Sequence, residues 1–179
     1  MEYLDIVDEE NNITGKVAPR DVIHKDGLWH REISVWIMNQ YGEILLQKRS
    51  ATKKQGANKW SICAGHVDVG EEPKMTAIRE IEEELGIKIQ EKELKFMFLE
   101  KVELVLPNSF NNVFSYMFFL KTDTPIDEYN IALDELSEVK YISLDELEKL
   151  MKEKPADYPF AARKYMPKVL NELKEAKGV

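Results

Sequence analysis

The stretch Gly65-His-Val-Asp-Val-Gly70-Glu71-Glu-Pro73-Lys-Met-Thr-Ala77-Ile78-Arg79-Glu80-Ile81-Glu82-Glu83-Glu84-Leu85-Gly86-Ile87 decides how this chain is read. Pro73 suits the first turn of a helix, where its missing N–H costs nothing, and Gly86 suits the left-handed residue just past the end. The spacing therefore predicts a helix over 73–86. At about 100° per residue, Ala77, Ile78, Ile81 and Leu85 share one arc, a stripe that packs on a core. Glu80, Glu83 and Glu84 stand in the i, i+3, i+4 relation and converge on a second arc beside it, whereas Glu82 points away. Three ionised carboxylates that close repel one another by a few kcal/mol per pair at an effective dielectric of about 20. Proton uptake, a neighbouring cation or a bound metal ion can offset that repulsion. Hard oxygen ligands suit Mg²⁺, with Mn²⁺ as a substitute. The plain alternative is a solvated acidic helix face.

Outward from this helix, the punctuation defines alternating elements. Residues 4–7 and 13–17 read as two short strands around Asn11-Asn12, an N-terminal hairpin over about 3–18, followed by a brief helix at 20–24. Residues 32–38 and 44–48 read as a hairpin about Asn39-Gln-Tyr-Gly42. Short strands are expected at 60–64 and 67–69, on either side of Gly65. Longer ones are expected at 95–106 and 113–120, joined through Pro107-Asn-Ser109, and a last one at 139–142. Ser143 with Glu146 three residues on forms a capping-box pattern for a helix to about Lys152. Pro159 then opens a terminal helix, about 159–176, whose Tyr165, Val169, Leu170 and Leu173 share one face.

The chain has 179 residues, 44% hydrophobic and 32% charged, with no repeat or Gly/Ser-rich linker, and reads as one domain, 1–179. A net charge of −8 argues against a nucleic-acid polymer or an anionic membrane as partner. No basic leader precedes an apolar run and no stretch approaches the length of a membrane span, so a cytoplasmic protein is expected, as monomer or homodimer. Cys63 is the single cysteine, which excludes an intrachain disulfide.

The quoted stretch resembles the signature of the Nudix hydrolases at every position: Gly65, Glu71, Arg79-Glu80, an aliphatic Ile81, Glu83-Glu84, Gly86 and an aliphatic Ile87. The resemblance implies an α/β/α sandwich with a mixed sheet, in which Glu80, Glu83 and Glu84 hold one to three Mg²⁺ ions and the Gly65 carbonyl is a further ligand. It implies that Arg79 and Glu71 form an internal ion pair that orients the helix. The implied reaction is hydrolysis of a nucleoside diphosphate linked to another moiety, by water attack at phosphorus. Glu80 is the first choice as base, although the base varies within the family.

Lys48, Arg49, Lys53, Lys54 and Lys59 form a run without acids that could clamp a small-molecule diphosphate, Arg49 and Lys48 being the substrate-binding candidates; solvated surface lysines are the alternative. The segment 134–141 resembles the Nudix segment that brings another glutamate towards the metals, which makes Glu135 or Glu138 a candidate ligand or base. Phe110, Phe114 and Tyr116 could stack a base, but at strand spacing packing is preferred.

Residues 4–72 also resemble the Nudix-fold isopentenyl-diphosphate isomerases, which use histidines at similar places for a metal. His24, His30 and His66 are thereby candidates for a second metal site. Those isomerases carry a catalytic cysteine directly before the Gly-His pair, where this chain has Ala64. Cys63 stands one position away, which in a strand turns its side chain to the opposite face. The isomerases also lack the full Glu-rich box. The whole pattern is most similar to the isomerase-like, MutT-related Nudix hydrolases of the YfcD type. Isomerisation and a non-catalytic binding module are the rival readings.

Overall fold

The computed structural model describes residues 2–53, 55–106 and 109–178. Lys54 and the Pro107-Asn108 part of the expected turn lie outside them. The N-terminal hairpin pairs β1 (Tyr3–Val7) with β2 (Ile13–Pro19), and α1 (Arg20–Asp26) follows. Leu4, Ala18 and Ile23 bury one another beneath it, a small core separate from the main sheet.

The main sheet has seven strands: β3 (His30–Met38), β4 (Ile44–Arg49), β5 (Trp60–Ser61), β6 (Cys63–His66), β7 (Leu94–Leu106), β8 (Ser109–Lys121) and β9 (Leu136–Ile142). It is mixed, since β3 runs parallel to β8 while the other pairings are antiparallel. The expected 32–38/44–48 hairpin is only one pair deep, Met38↔Ile44. Beyond it β4 leaves β3 and pairs with β5 on one side and β9 on the other, while β6 takes over the edge of β3 from Val35 to Glu32. Segment 60–66 thus bridges the gap where the strands part, and Gly65 sits inside β6 rather than between two strands. The strand expected at 67–69 reduces to a single bridge, Leu4↔Asp68.

Alternate residues of β3 divide the core as a period-2 strand requires. Ile33, Val35 and Ile37 face α2 (Pro73–Leu85), whose Ala77, Ile81 and Leu85 are fully buried against them. Each buried Val, Ile or Leu side chain among these contributes about 1.5–3 kcal/mol. Trp36 and Met38 face the other way, onto α3 (Leu144–Glu153) and α4 (Met166–Lys177). The layers are therefore helix, mixed sheet, helices. The Ser143 hydroxyl accepts the Glu146 amide at 3.1 Å and caps α3 as its spacing predicts.

The terminal helix departs from expectation. Residues Pro159–Ala162 form only a turn of 3₁₀ helix, and α4 starts at Met166. Pro167 is the reason: its ring would clash with the Arg163 carbonyl in a continuous helix, so the chain breaks and restarts with Pro167 in the first turn.

Candidate active site

Helix α2 begins after Glu72 with Pro73 in its first turn and stops at Gly86, whose φ of 70° is left-handed. This fixes the rotation that buries Ala77 and Ile81 and turns Glu80, Glu83 and Glu84 towards one open cleft of about 420 Å³. Gly65, Arg49, Lys53, Glu135 and His66 also line that cleft. Glu82 points out to solvent and pairs with Lys88 at 3.2 Å.

Arg79 organises the acids. It donates two parallel bonds to Glu71, Nε to Oε1 at 3.1 Å and Nη2 to Oε2 at 3.0 Å. Its Nη1 reaches Glu80 at 2.8 Å and Glu83 at 3.0 Å. The Thr76 hydroxyl donates a further bond to Glu71 at 2.7 Å. Partial burial alone would raise the Glu71 carboxyl, but the bonds from Arg79 and Thr76 outweigh it and hold it below the ordinary range. In return, chiefly through Glu71, the guanidinium is held still more firmly in its charged form.

One cation does not neutralise this many acids. Burial, and then the charge of Glu84, pushes the Glu80 carboxyl up to about 7. Glu84 is 5% exposed, and burial raises it too, although Gln47 Nε2 donates to its Oε2 at 2.8 Å.

Lys53 pairs with Glu135 across the cleft. The Arg49 Nε donates to the Gln55 carbonyl at 3.1 Å, and the residue lines the cleft. Lys48 and Glu138 are not brought there. They are cross-strand neighbours on β4 and β9, 3.7 Å apart as an ion pair, with Lys48 over the Trp60 ring. The reason is strand alternation: Arg49 and Lys48 are consecutive and cannot face the same side. Phe110, Phe114 and Tyr116 also lie off the cleft. Phe110 packs at Gly27, Phe114 against Trp29, and the Tyr116 hydroxyl accepts a bond from Asn11.

The three histidines, from α1, β3 and β6, do converge. One ring nitrogen of each lies within 4.8 Å of the others, and His24 Nε2 is 3.2 Å from His66 Nε2. Burial, then the neighbouring His66, holds His24 down at about 4 and His30 at about 3, so both rings are neutral at neutral pH, each with one unprotonated nitrogen.

Several cleft residues had no local signal in the sequence. Glu2, Arg20, Glu32 and Asp68 all line it. Gln47 is different, because one amide in the apolar run Ile44-Leu-Leu-Gln47 is a buried polar group that needs a partner.

Cys63 is buried among the residues under α2, while Ala64, its neighbour in β6, is exposed and lines the cleft. Burial, and then the charges of Glu84 and Glu80, push the thiol well above its usual range. Native protein is therefore expected to resist iodoacetamide and to take up one equivalent only after unfolding in urea, read by intact mass. Stoichiometric labelling of the folded form would place the thiol in the cleft after all.

The NUDIX domain family model matches residues 28–164. The chain belongs to the Nudix family. Among its relatives are Nudix hydrolase 3 of Arabidopsis thaliana, 33% identical over 89% of this chain and 22% of that protein, and isopentenyl-diphosphate Delta-isomerase 2 of Photorhabdus laumondii, 32% identical over 96% and 92%. The chain thus spans about a fifth of the Arabidopsis protein. A Deinococcus radiodurans crystal structure superposes with a TM-score of 0.68 at 17% identity, covering 96% of this Nudix chain and 99% of that one, and so shares the fold.

Proposed function

We propose that this Nudix protein is a Mg²⁺-dependent hydrolase of a nucleoside diphosphate or a nucleoside-diphosphate-linked small molecule. The observation that carries the reading is the meeting of Glu80, Glu83 and Glu84 with Gly65 in one cleft that also holds Arg49 and Lys53. The donors fit the ion: carboxylates and a carbonyl are hard oxygen ligands, and a Glu80 carboxyl at about 7 marks negative charge that the side chains leave unbalanced. A divalent ion bound there supplies an acidified water, polarised phosphoryl oxygens and screening of the leaving group.

Arg79 holds Glu80 and Glu83 in register, and Glu71 holds Arg79. Arg49 and Lys53 meet the charge of the diphosphate. Glu80 takes the proton of the attacking water, with Glu135 as the nearby alternative across the cleft. Charged side chains dominate the described lining, and none of those residues is Phe, Tyr or Trp, which supports the diphosphate rather than a stacked base as the recognised group.

A second divalent metal at His24, His30 and His66 belongs to the same proposal, supported by their convergence and by His30 Nε2, fully buried without a partner among the described residues. No helix among the described residues is long and apolar enough to cross a membrane. A cytoplasmic site of action, as monomer or homodimer, completes the reading.

The similarity to an isomerase makes allylic diphosphate isomerisation the rival, but the side chain at the position before Gly65-His66 that faces the cleft is the methyl of Ala64. Turnover in ¹⁸O-water separates the two. Hydrolysis places label in released phosphate or monophosphate across a screen of nucleoside diphosphates, nucleotide sugars, dinucleotides and isopentenyl diphosphate. Absence of label together with double-bond migration in isopentenyl diphosphate would replace the proposal by the rival.

A further inference from the structure

The histidine cluster is held from behind by a residue that no local pattern marks. Glu2 Oε1 lies 3.2 Å from His66 Nδ1, and Glu2 Oε2 accepts a bond from Arg20 Nη1 at 3.1 Å. The Arg20 amide also donates to the Glu2 carbonyl at 3.0 Å, so the residue is pinned through backbone and side chain together. A carboxylate only accepts. Its partner nitrogen, His66 Nδ1, must therefore carry the hydrogen, which in the neutral ring leaves the lone pair on Nε2, the atom that faces His24.

His30 repeats the arrangement with a different acceptor. Its Nδ1 sits 3.2 Å from the Leu28 carbonyl, which also only accepts, and its Nε2 is buried with no partner among the described residues. His30 is fully buried. A lone pair left unpaired in such a place is costly unless something fills it. Two unrelated acceptors thus set two of the three rings to the same tautomer, with bare Nε2 atoms turned inward.

We infer that Glu2 is a positioning residue: by accepting from His66 Nδ1 it fixes the tautomer and rotation of His66 and so sets the cation affinity of the three-histidine cluster. The inference rests on the histidine site proposed above. A carboxylate behind a ligating imidazole also raises the basicity of the ligand nitrogen, and removal of such partners weakens metal binding by about 10- to 100-fold. The cost falls on the His66 contact, because Glu2, although it lines the same cleft as Glu80, Glu83 and Glu84, spends its side-chain oxygens on His66 and Arg20.

Two readouts on the full chain test this. In metal-free protein, long-range ¹H–¹⁵N correlation at mildly alkaline pH reads the tautomer of each histidine. Wild type is expected to show His66 protonated at Nδ1, and Glu2→Ala to shift it towards the Nε2–H form while His30, held by Leu28, stays unchanged. In parallel, Co²⁺ titration followed by visible absorption is expected to show binding that His30→Ala abolishes and that Glu2→Ala weakens about 10- to 100-fold. Glu2→Asp is expected to restore part of the affinity, and Glu2→Gln, which keeps the size of the side chain, guards against a general effect on the hairpin. A merely structural Glu2 would lower the melting temperature and leave tautomer and Co²⁺ affinity alone, and that result overturns the inference. If Co²⁺ binding ignores all three histidines, the metal reading fails by itself, and the His66 tautomer still decides the role of Glu2.

Discussion

Replacing Glu84 with glutamine is expected to lower metal-dependent turnover by about 10³-fold, equivalent to about 4 kcal/mol of lost transition-state stabilisation, while raising the melting temperature of metal-free protein. The two effects share a cause. Glu84 is 5% exposed, and burial raises its carboxyl above the ordinary value of 4.5. A carboxyl whose folded pKa exceeds its unfolded one binds more protons in the folded state, so its contribution to stability declines as pH rises from the unfolded value through the folded one. Above the unfolded value the raised carboxyl therefore costs stability, and glutamine removes that cost. The gain should be present at neutral pH and vanish below about pH 4.5, where both states are protonated.

The local bonding favours the substitution as well. Gln47 Nε2 already donates to Glu84 Oε2 at 2.8 Å, while Gln47 Oε1 is buried without a partner among the described residues. A glutamine at 84 can accept from the first and donate to the second, closing a reciprocal amide pair. Calorimetry with chelator present, beside kcat at saturating Mg²⁺, measures both halves. A variant that keeps near-wild-type turnover at limiting metal would remove Glu84 from the ligand set.

What could be read from the chain beforehand was what a short segment encodes by itself. The rotation of α2, its two ends and the separation of Glu82 from Glu80, Glu83 and Glu84 follow from spacing within one helix. The Arg79–Glu71 pair was implied by the resemblance to the Nudix signature, which carries both residues, and not by helix spacing, since Glu71 precedes α2. The parting of β3 and β4 was not, because it depends on β6 and β9 competing for their edges, and those partners lie about 30 to 100 residues further on. The break before α4 was legible in principle: Pro167 forbids the continuous helix that Pro159 invites. Lys48 and Arg49 show a limit of composition, since a run of cations says nothing about which face each one takes. Glu2 and Arg20 reach the cleft only because the N-terminal hairpin docks there, through the Leu4↔Asp68 bridge and the bond from the Gly70 amide to Asp5 at 2.8 Å. Those contacts span more than sixty residues of chain and leave no local trace.

The docking also bears on the charge balance. Asp68 lies 3.7 Å from the Arg79 guanidinium, so this single arginine faces Glu71, Glu80, Glu83 and Asp68 at once. Its bidentate bonds go to Glu71, and the single Nη1 bonds to Glu80 and Glu83 are the ones that a cation in the cleft would compete for. The helix is thus anchored by one acid, while the others stay available for ligation.

Gly65→Ala is expected to lower kcat by about 10²-fold, the penalty of misplacing a reacting group by about 1 Å, with the melting temperature kept within about 3 °C. Gly65 has no left-handed backbone to preserve, and its extended pairing in β6 with Ile33 of β3 suits an alanine backbone. What excludes a side chain is the Glu80 carboxyl, whose Cγ, Cδ and Oε1 occupy the space that a Cβ would take. A methyl group there forces Glu80 to swing away, which stretches the 2.8 Å bond from Arg79 Nη1 and carries the carboxylate off its position in the cleft. The fold survives because the neighbour that must move is a side chain and not backbone. The Gly65 carbonyl survives too, so the variant separates the two contributions of this glycine. Loss of kcat at saturating Mg²⁺ with an unchanged circular dichroism spectrum would assign the effect to the displaced Glu80. Unchanged turnover would mean that Glu80 does not work from its place beside Gly65, and would leave the carbonyl as the only part of the glycine that matters.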